Sequence, residues 1–430
     1  MKRTWVKDLR DSKDEEVKLF GWIHRIKKFK DFAFIDLRDR TGIVQMVMDK
    51  SLISSKIKLE SSVLVFGRLI KSEEDNSGIE VIVKSLEIKG EAKYDLLPFS
   101  INGREIQAAL EKQLDHQTIS LRRMDRRWVF TIQQEIVQAF RQFLIQEEFT
   151  EVHTPKIVGI ETEGGSQVFS LDYFGNRTFM AQSPQFYKQM LVGAGFERVF
   201  EIGAAYRAEP HNTWRHLNEY ISLDLEMGFI ESDEEIMDLE ERLLKHVMAH
   251  LEATCKKELA FLDVTLPRID QIPRIKLKAA QEILMDIYGK TSPMGNIDSE
   301  GEQLLAQYVK KEFQSDFVFL TTYPASKRPL YTMPDERDSG MTRSFDLIFK
   351  GLEITTGGQR IHDYDQLTEN ILRFGGKPED FDFYLESFRY GMPPHGGFAI
   401  GLERITMMLL GLDNIRRATL FPRDMTRIKP

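Results

Sequence analysis

Alternation of apolar and polar residues marks the first ninety positions, and a helical period takes over beyond Leu121. The alternation predicts strands over 17–26, 32–38, 43–49, 62–71 and 79–89, each rich in Val, Ile, Leu and Phe. Asp39-Arg40-Thr41-Gly42 and Asp75-Asn76-Ser77-Gly78 supply turns, and 50–60 has room for a short helix between the third and fourth strands. Residues 91–120, with Pro98 and no steady period, read as a linker. Residues 125–148 then put Val129, Ile132, Ile136, Ala139, Phe140 and Phe143 on one face of a long amphipathic helix. That helix runs into a strand over 149–154 that Pro155 stops. Further helices are predicted near 184–193, 233–256, 275–288 and 300–312.

Five strands with a helical insertion after the third is the pattern of an OB-fold barrel, and equally of a generic small β-barrel. The longer remainder mixes helices and strands without regular βαβ winding. This predicts an α+β fold, an antiparallel sheet flanked by helices. At 430 residues two domains are expected: a barrel over 1–92, a hinge over 93–120 and a larger domain over 121–430. No apolar run approaches the roughly 20 residues of a membrane span. The first residues lack an apolar signal core, so the expectation is a cytoplasmic protein with no membrane partner. Cys255 is the sole cysteine, which excludes an internal disulfide and a multi-cysteine zinc site. The net charge of −8 argues against a polyanion partner until its distribution is read. Residues 1–90 hold 19 Lys and Arg against 15 Asp and Glu, an excess of four, which leaves −12 for the rest. A basic front on an acidic body suits contact with nucleic acid, and equally a solvated surface with no partner.

The candidate chemistry lies in three separated stretches. Residues 199–209 alternate, with Phe200, Ile202, Ala204, Tyr206 and Ala208 opposite Glu201, Arg207 and Glu209. Residues 220–229 alternate again, setting Ile221, Leu223, Leu225, Met227 and Phe229 against Tyr220, Ser222, Asp224 and Glu226. Together they predict an antiparallel hairpin with one buried face and one face of carboxylates, an arginine and a tyrosine. Over 344–349 Asp346 points away from Phe345, Leu347 and Phe349, and Glu353 follows before Thr355-Thr356-Gly357-Gly358-Gln359-Arg360. Two carboxylates on adjoining extended segments suit Mg²⁺, and equally an ion-pair network. His395 to Gly401 is a glycine-rich strand leading into a helix over 402–410, with Arg404 in a first turn that already favours anions. Arginines and carboxylates on rigid elements suit chemistry that redistributes phosphate charge.

These stretches resemble the class II aminoacyl-tRNA synthetases, and within them the aspartyl enzymes of short form with an N-terminal anticodon-binding domain. Residues 125–155 resemble the first class II motif, which in the family builds a homodimer interface. Arg207-Ala208-Glu209 with Arg215 to Tyr220 resembles the second motif, and Gly401-Leu402-Glu403-Arg404 the third. The resemblance implies ATP-dependent attachment of L-aspartate to tRNA(Asp) through an aspartyl-adenylate. It implies that Arg207 holds the α-phosphate, Glu209 the adenine amino group, and His216 and Arg404 the outer phosphates. Tyr220 would stack on adenine where the family usually has Phe, and Asp346 and Glu353 would ligate Mg²⁺. Arg207, Arg404 and Glu353 are thereby the implied catalytic residues.

For the amino acid, Gln182-Ser183-Pro184-Gln185-Phe186-Tyr187-Lys188 resembles one wall of the aspartyl pocket. Lys188 and Arg360 would grip the side-chain carboxylate, with Glu163, Ser183, Gln185, Asp224 and Thr356 completing the site. Without the resemblance Lys188 reads as an exposed helix lysine. In the front domain Phe34 and Gln45 match the positions that stack on and read the middle anticodon base, with Arg25 nearby. His24 matches a position where members charging both tRNA(Asp) and tRNA(Asn) tend to carry His and stricter ones Trp. The sequence departs from the family at Thr356 (usually Ser), Gly358 (usually Ala) and Ala399 (usually Gly beside the substrate). The other readings are an asparaginyl enzyme, which lacks the lysine, and a catalytically weak tRNA-binding paralogue.

Overall fold

A computed structural model describes residues 1–53, 56–71, 78–103, 105–162 and 167–430. Part of the turn expected at Asp75 to Gly78 and the expected substrate contact Glu163 lie outside the described residues. The chain divides into two compact units, Met1–Arg127 and Trp128–Pro430.

In the first unit β1 (Glu16–Lys28), β2 (Phe32–Arg38), β3 (Ile43–Asp49), β4 (Ser62–Lys71) and β5 (Ile79–Gly90) close a barrel in the order β1-β2-β3-β5-β4. Among the described residues of this unit, only β3 and β5 pair in parallel. Alternation fills the interior with Val17, Leu19, Ile23, Ala33, Ile35, Leu37, Met46, Met48, Val65 and Val81, all buried in one cluster. The opposite parity puts Lys27, Phe34, Asp36, Gln45 and Val47 on the outer face of β1-β2-β3. The register slips once in β1: Ile23 pairs with Leu37 but Arg25 with Asp36, so His24 is the extra residue of a β-bulge. The bulge turns the imidazole inward. The segment read as a linker is not structureless, since it holds short helices at Leu110–Asp115 and Gln117–Ser120.

In the second unit β6 (Thr150–Glu151) precedes a small sheet of β7 (Ile157–Val158), β8 (Ser170–Tyr173) and β9 (Asn176–Met180). The main sheet adds β10 (Arg198–Tyr206), β11 (Glu219–Gly228), β12 (Arg274–Lys276), β13 (Phe317–Thr321), β14 (Ser344–Phe349), β15 (Leu352–Arg360) and β16 (His395–Gly401). Its order is β12-β13-β14-β15-β16-β11-β10-β6. The interior is antiparallel as expected, but both edges are parallel, β12 against β13 and β6 against β10. The strand expected over 149–154 shrinks to two residues paired with β10, Thr150 and Glu151, after which Val152 N adds one hydrogen bond to the Phe200 carbonyl at 2.8 Å.

One sheet face is apolar. Phe200, Leu223, Leu225, Phe319, Phe345, Leu347, Phe398 and Ile400 pack there with the helices Met124–Gln146 and Asp233–Thr254. At roughly 1.5–3 kcal/mol for each large side chain buried, this layer stabilises the whole unit. The hairpin's other face carries the expected carboxylates. Ser222, Asp224 and Glu226 are buried too, at 5%, 2% and 0% exposure, so the carboxylate face is enclosed and not solvated.

Candidate active site and nucleic-acid face

Strand register builds the floor of the site. Asp224 lies opposite Ala399, which lies opposite Thr356, which lies opposite Asp346. One row further along, Glu226 lies opposite Gly397. Gly397 has no room for a side chain, since a Cβ would sit 2.1 Å from the Leu225 carbonyl and 2.5 Å from Glu226 Oε2. Another bulge, with Ile354 the extra residue of β15 opposite Leu347 and Ile348 of β14, makes Glu353 and Thr356 both face the same cleft. A strict period of two would have put them on opposite faces.

The three sequence stretches meet in that cleft. Arg207, Glu209, Arg215, His216 and Tyr220 line it with Glu353, Thr356, Ala399, Gly401, Glu403 and Arg404. Arg207 lies over the Tyr220 ring at 5.8 Å and 3.8 Å from Glu209. Asn218 ties the hairpin end, donating to the Arg207 and Glu209 carbonyls at 2.7 and 3.2 Å. His216 Nδ1 pairs with the Thr213 hydroxyl at 2.6 Å while Nε2 stands 3.8 Å from Glu209. Burial, followed by the nearby Arg404 charge, lowers the His216 pKa. Arg404 donates to the Glu353 carbonyl at 2.9 Å and approaches its carboxylate at 3.4 Å. Glu403 plays a different part: it is 4% exposed, accepts from Ile221 N, and burial raises its carboxyl to about 8.

Away from the cleft lining, the helix Gln185–Leu191 puts Gln185, Lys188 and Gln189 on one buried face. Lys188, read without the resemblance as a surface residue, is 0% exposed. Its ammonium stands 3.0 Å from Asp224 Oδ1 and 3.4 Å from Glu226 Oε2, and donates to the Leu225 carbonyl at 3.1 Å. Arg360 donates through Nε to Glu226 Oε1 at 3.0 Å and reaches the Gly397 carbonyl at 3.0 Å and Gln185 Oε1 at 3.4 Å. Burial alone would raise the Glu226 carboxyl, but Arg360 and then Lys188 outweigh it and hold it below its ordinary value. Ser183 Oγ accepts from Gln185 N at 3.3 Å. Sequence reasoning placed Glu226 on the polar face but gave it no role. Its spacing of two from Asp224 was the available signal.

Asp346 is buried, with Oδ2 2.9 Å from Arg328 and Oδ1 without a hydrogen-bond partner. Burial raises its carboxyl, Arg328 opposes, and the nearby Glu353 adds to the rise. Among the described residues there is no group of three or more His, Cys, Asp or Glu suited to a metal. The protein thus offers two carboxylates, one with an unpartnered oxygen. That donor set fits a Mg²⁺ whose remaining ligands are nucleotide phosphates and water. Arg328 escaped the sequence reading, because nothing in its local pattern marks it.

On the barrel, Phe34 packs edge-on to Phe32 and Phe29 at 5.3 and 5.6 Å, and Lys27 lies over Phe29 at 5.1 Å. Gln45 donates to Glu80 at 2.5 Å, and the largely exposed Arg25 lies 3.7 Å from Asp36. These three expected residues share one outer face. His24 does not: its Nδ1 accepts from Arg38 at 2.8 Å inside a network in which Arg38 and Arg122 both hold Glu60. Burial would raise Glu60, but His24 and Arg38 bring it down to about 2.

The comparisons agree with this layout. Residues 109–425 match the tRNA synthetases class II (D, K and N), and residues 17–89 the OB-fold nucleic acid binding domain. Curated relatives include the aspartate–tRNA(Asp/Asn) ligases of Deinococcus radiodurans, covering 100% of this chain and 99% of that one, and Thermus thermophilus, covering all of both. Each is 44% identical to this chain. The aspartate–tRNA(Asp) ligase of Pyrococcus abyssi is 42% identical over 97% of this chain and 96% of its own. Among solved structures, the asparaginyl-tRNA synthetase of Pyrococcus horikoshii, complexed with asparaginyl-adenylate, superposes with a TM-score of 0.91 at 29% identity over all of both chains. The aspartyl-tRNA synthetase of Entamoeba histolytica gives 0.89 at 30%, covering 100% of this chain and 93% of that one. With an OB-fold barrel ahead of a sheet that gathers all three motif segments into one cleft, the chain belongs to the class II tRNA synthetases of the D, K and N group.

Proposed function

We propose that this chain is an aspartate–tRNA ligase that charges both tRNA(Asp) and tRNA(Asn). The observation that carries the choice of amino acid is the buried pair of cations, Lys188 and Arg360, joined through Glu226. A substrate carboxylate can enter this arrangement and exchange with protein carboxylates for the same donors. An amide has no charge with which to compete against Glu226 and Asp224 for those donors, so the carboxylate is favoured. Gln185, Ser183, Asp224, Thr356 and Glu163 complete the aspartate site in this reading.

In the adjoining cleft Arg207 takes the α-phosphate, His216 and Arg404 the outer phosphates, Glu209 the adenine amino group, and Tyr220 the adenine face. Asp346 and Glu353 would hold a Mg²⁺, which when bound would neutralise charge on the phosphates. The substrate's own α-carboxylate attacks the α-phosphorus, pyrophosphate leaves, and the terminal ribose hydroxyl of tRNA then accepts the aminoacyl group. No protein nucleophile is needed, so positioning and charge stabilisation carry the rate.

Phe34, Gln45 and Arg25 form the anticodon face, with Phe34 stacking on a base and Gln45 reading it. His24 underlies relaxed tRNA choice, and the names of the Deinococcus and Thermus relatives support that choice. The functional boundaries are 1–92 for the anticodon domain, 93–120 for the hinge and 121–430 for the catalytic domain. The working form is a cytoplasmic homodimer paired through residues 125–155. No helix among the described residues is long and apolar enough to cross a membrane.

The test is charging of purified tRNA(Asp) and tRNA(Asn) with labelled aspartate, with asparagine in parallel. Aspartate should load both tRNAs and asparagine neither. Pyrophosphate exchange with asparagine alone would sink the proposal.

A further inference from the structure

One residue of the cleft wall is braced from outside the three motif segments. Arg215, which lines the cleft, places a guanidinium nitrogen 2.7 Å from Glu302 Oε2. Glu302 sits in the first turn of the helix Ser299–Phe313, and its side chain is only 9% exposed. That helix is held firmly. Asp298 caps it by accepting from Gly301 N at 2.9 Å, and Leu305 and Val309 are buried against Val318, Leu320 and Ile348.

The turn between β14 and β15 rests directly on it. Gly351 adopts φ +88°, and a Cβ there would lie 3.0 Å from the Cα of Gln303. This contact fixes Glu302 relative to Glu353, which follows the same turn. The charged groups facing Glu302 are Arg215, Glu353 and Arg404. Burial pushes its carboxyl up to about 7, with Arg215 opposing and Glu353 adding.

Arg215 itself follows the exposed stretch His211 to Thr213 at the end of a hairpin. A long side chain there loses much rotamer freedom when it grips a ligand, and a buried partner removes that loss in advance. We propose that Glu302 is a positioning residue for nucleotide binding: it holds Arg215 in the cleft wall, so that the guanidinium is in place before the nucleotide arrives. The proposal rests on reading the cleft as the ATP site.

Its test is equilibrium ATP binding by calorimetry, together with pyrophosphate exchange at saturating aspartate. In Glu302→Gln the Kd and KM for ATP should rise about tenfold, the scale of the freedom that Arg215 regains, with kcat and the aspartate KM nearly unchanged. Glu302→Asp should recover part of the loss. In an Arg215→Ala background Glu302→Gln should add almost nothing. An unchanged ATP Kd in folded Glu302→Gln, or an undiminished effect in the Arg215→Ala background, would overturn the proposal. If the Gln variant fails to fold, the same cycle with Glu302→Asp decides. Wild-type protein that binds no ATP would refute the cleft reading instead.

Discussion

Arg360 Nε stands 3.0 Å from Glu226 Oε1, while the other oxygen of the same carboxylate faces the Lys188 ammonium at 3.4 Å. The two cations are thus tied together inside the fold through a shared carboxylate. Removing one leaves its carboxylate partners buried and under-neutralised, a change worth roughly 3–5 kcal/mol. Lys188→Leu should therefore cut aspartate-dependent pyrophosphate exchange by about a hundredfold or more, while ATP binding stays largely intact. Normal aspartate activation in that variant would show that the pocket has been assigned wrongly.

Gly397→Ala tests the floor beneath that pair. The added methyl meets the Leu225 carbonyl at 2.1 Å and Glu226 Oε2 at 2.5 Å, so backbone or the ion pair must shift. A misplacement of about 1 Å near reacting groups can cost a hundredfold. Exchange should fall on that scale with the protein still folded by circular dichroism. An active alanine variant would mean that Glu226 has slack the structure does not display.

Phe34→Ala should leave pyrophosphate exchange untouched and raise the KM for tRNA. Stacking on one base contributes about 1–3 kcal/mol, so the rise should be roughly 5- to 150-fold. Phe34 lies on the outer face of β2, away from the barrel interior, so folding should not suffer. An unchanged tRNA KM would move the anticodon contact elsewhere.

Glu353→Gln should raise the Mg²⁺ concentration needed for half-maximal exchange, because one of two carboxylate donors becomes a neutral amide. Chelation with EDTA should abolish exchange in wild type, and added Mg²⁺ should restore it. A variant with the wild-type Mg²⁺ requirement would remove Glu353 from the metal site.

Glu240, on the helix Asp233–Thr254, is 0% exposed, and burial pushes its carboxyl up to about 8. Below the ordinary carboxyl value of 4.5 both folded and unfolded chains hold the proton, and this group's stabilisation is complete. Between there and about 8 only the unfolded chain releases it, so stability falls by roughly 1.4 kcal/mol per pH unit. Glu240→Gln carries no such titration. Its melting temperature relative to wild type should climb as pH goes from 5 to about 8.5, and a constant difference would contradict the buried neutral carboxyl.

Much of this was legible in the residues. The five barrel strands matched to within two residues at each end, because a half-buried strand must alternate. The strand His395–Gly401 and the helix behind it fell where the glycines and the apolar run put them. Three things stayed hidden for physical reasons. A bulge leaves no mark in a periodicity of two, so the shared facing of Glu353 and Thr356 could not be foreseen. Burial of Asp224 and Glu226 depends on a helix some 35 residues earlier folding over them. The pairings Arg328–Asp346 and Arg215–Glu302 join segments distant in the chain, and pairing of that kind is set by sheet order, not local pattern.

Were tRNA preference tuned at position 24, as proposed, the bulge at His24 would decide how. An imidazole pointed into the barrel and held by Arg38 does not lie on the outer face with Phe34 and Gln45. A bulkier ring at this point has to push Arg38 off Glu60, and with it the strand that carries Arg25 and Lys27. In the proposed reading, selectivity altered here would reach the nucleic acid as a change in the curvature of the stage, and not through a gained or lost handshake with a base.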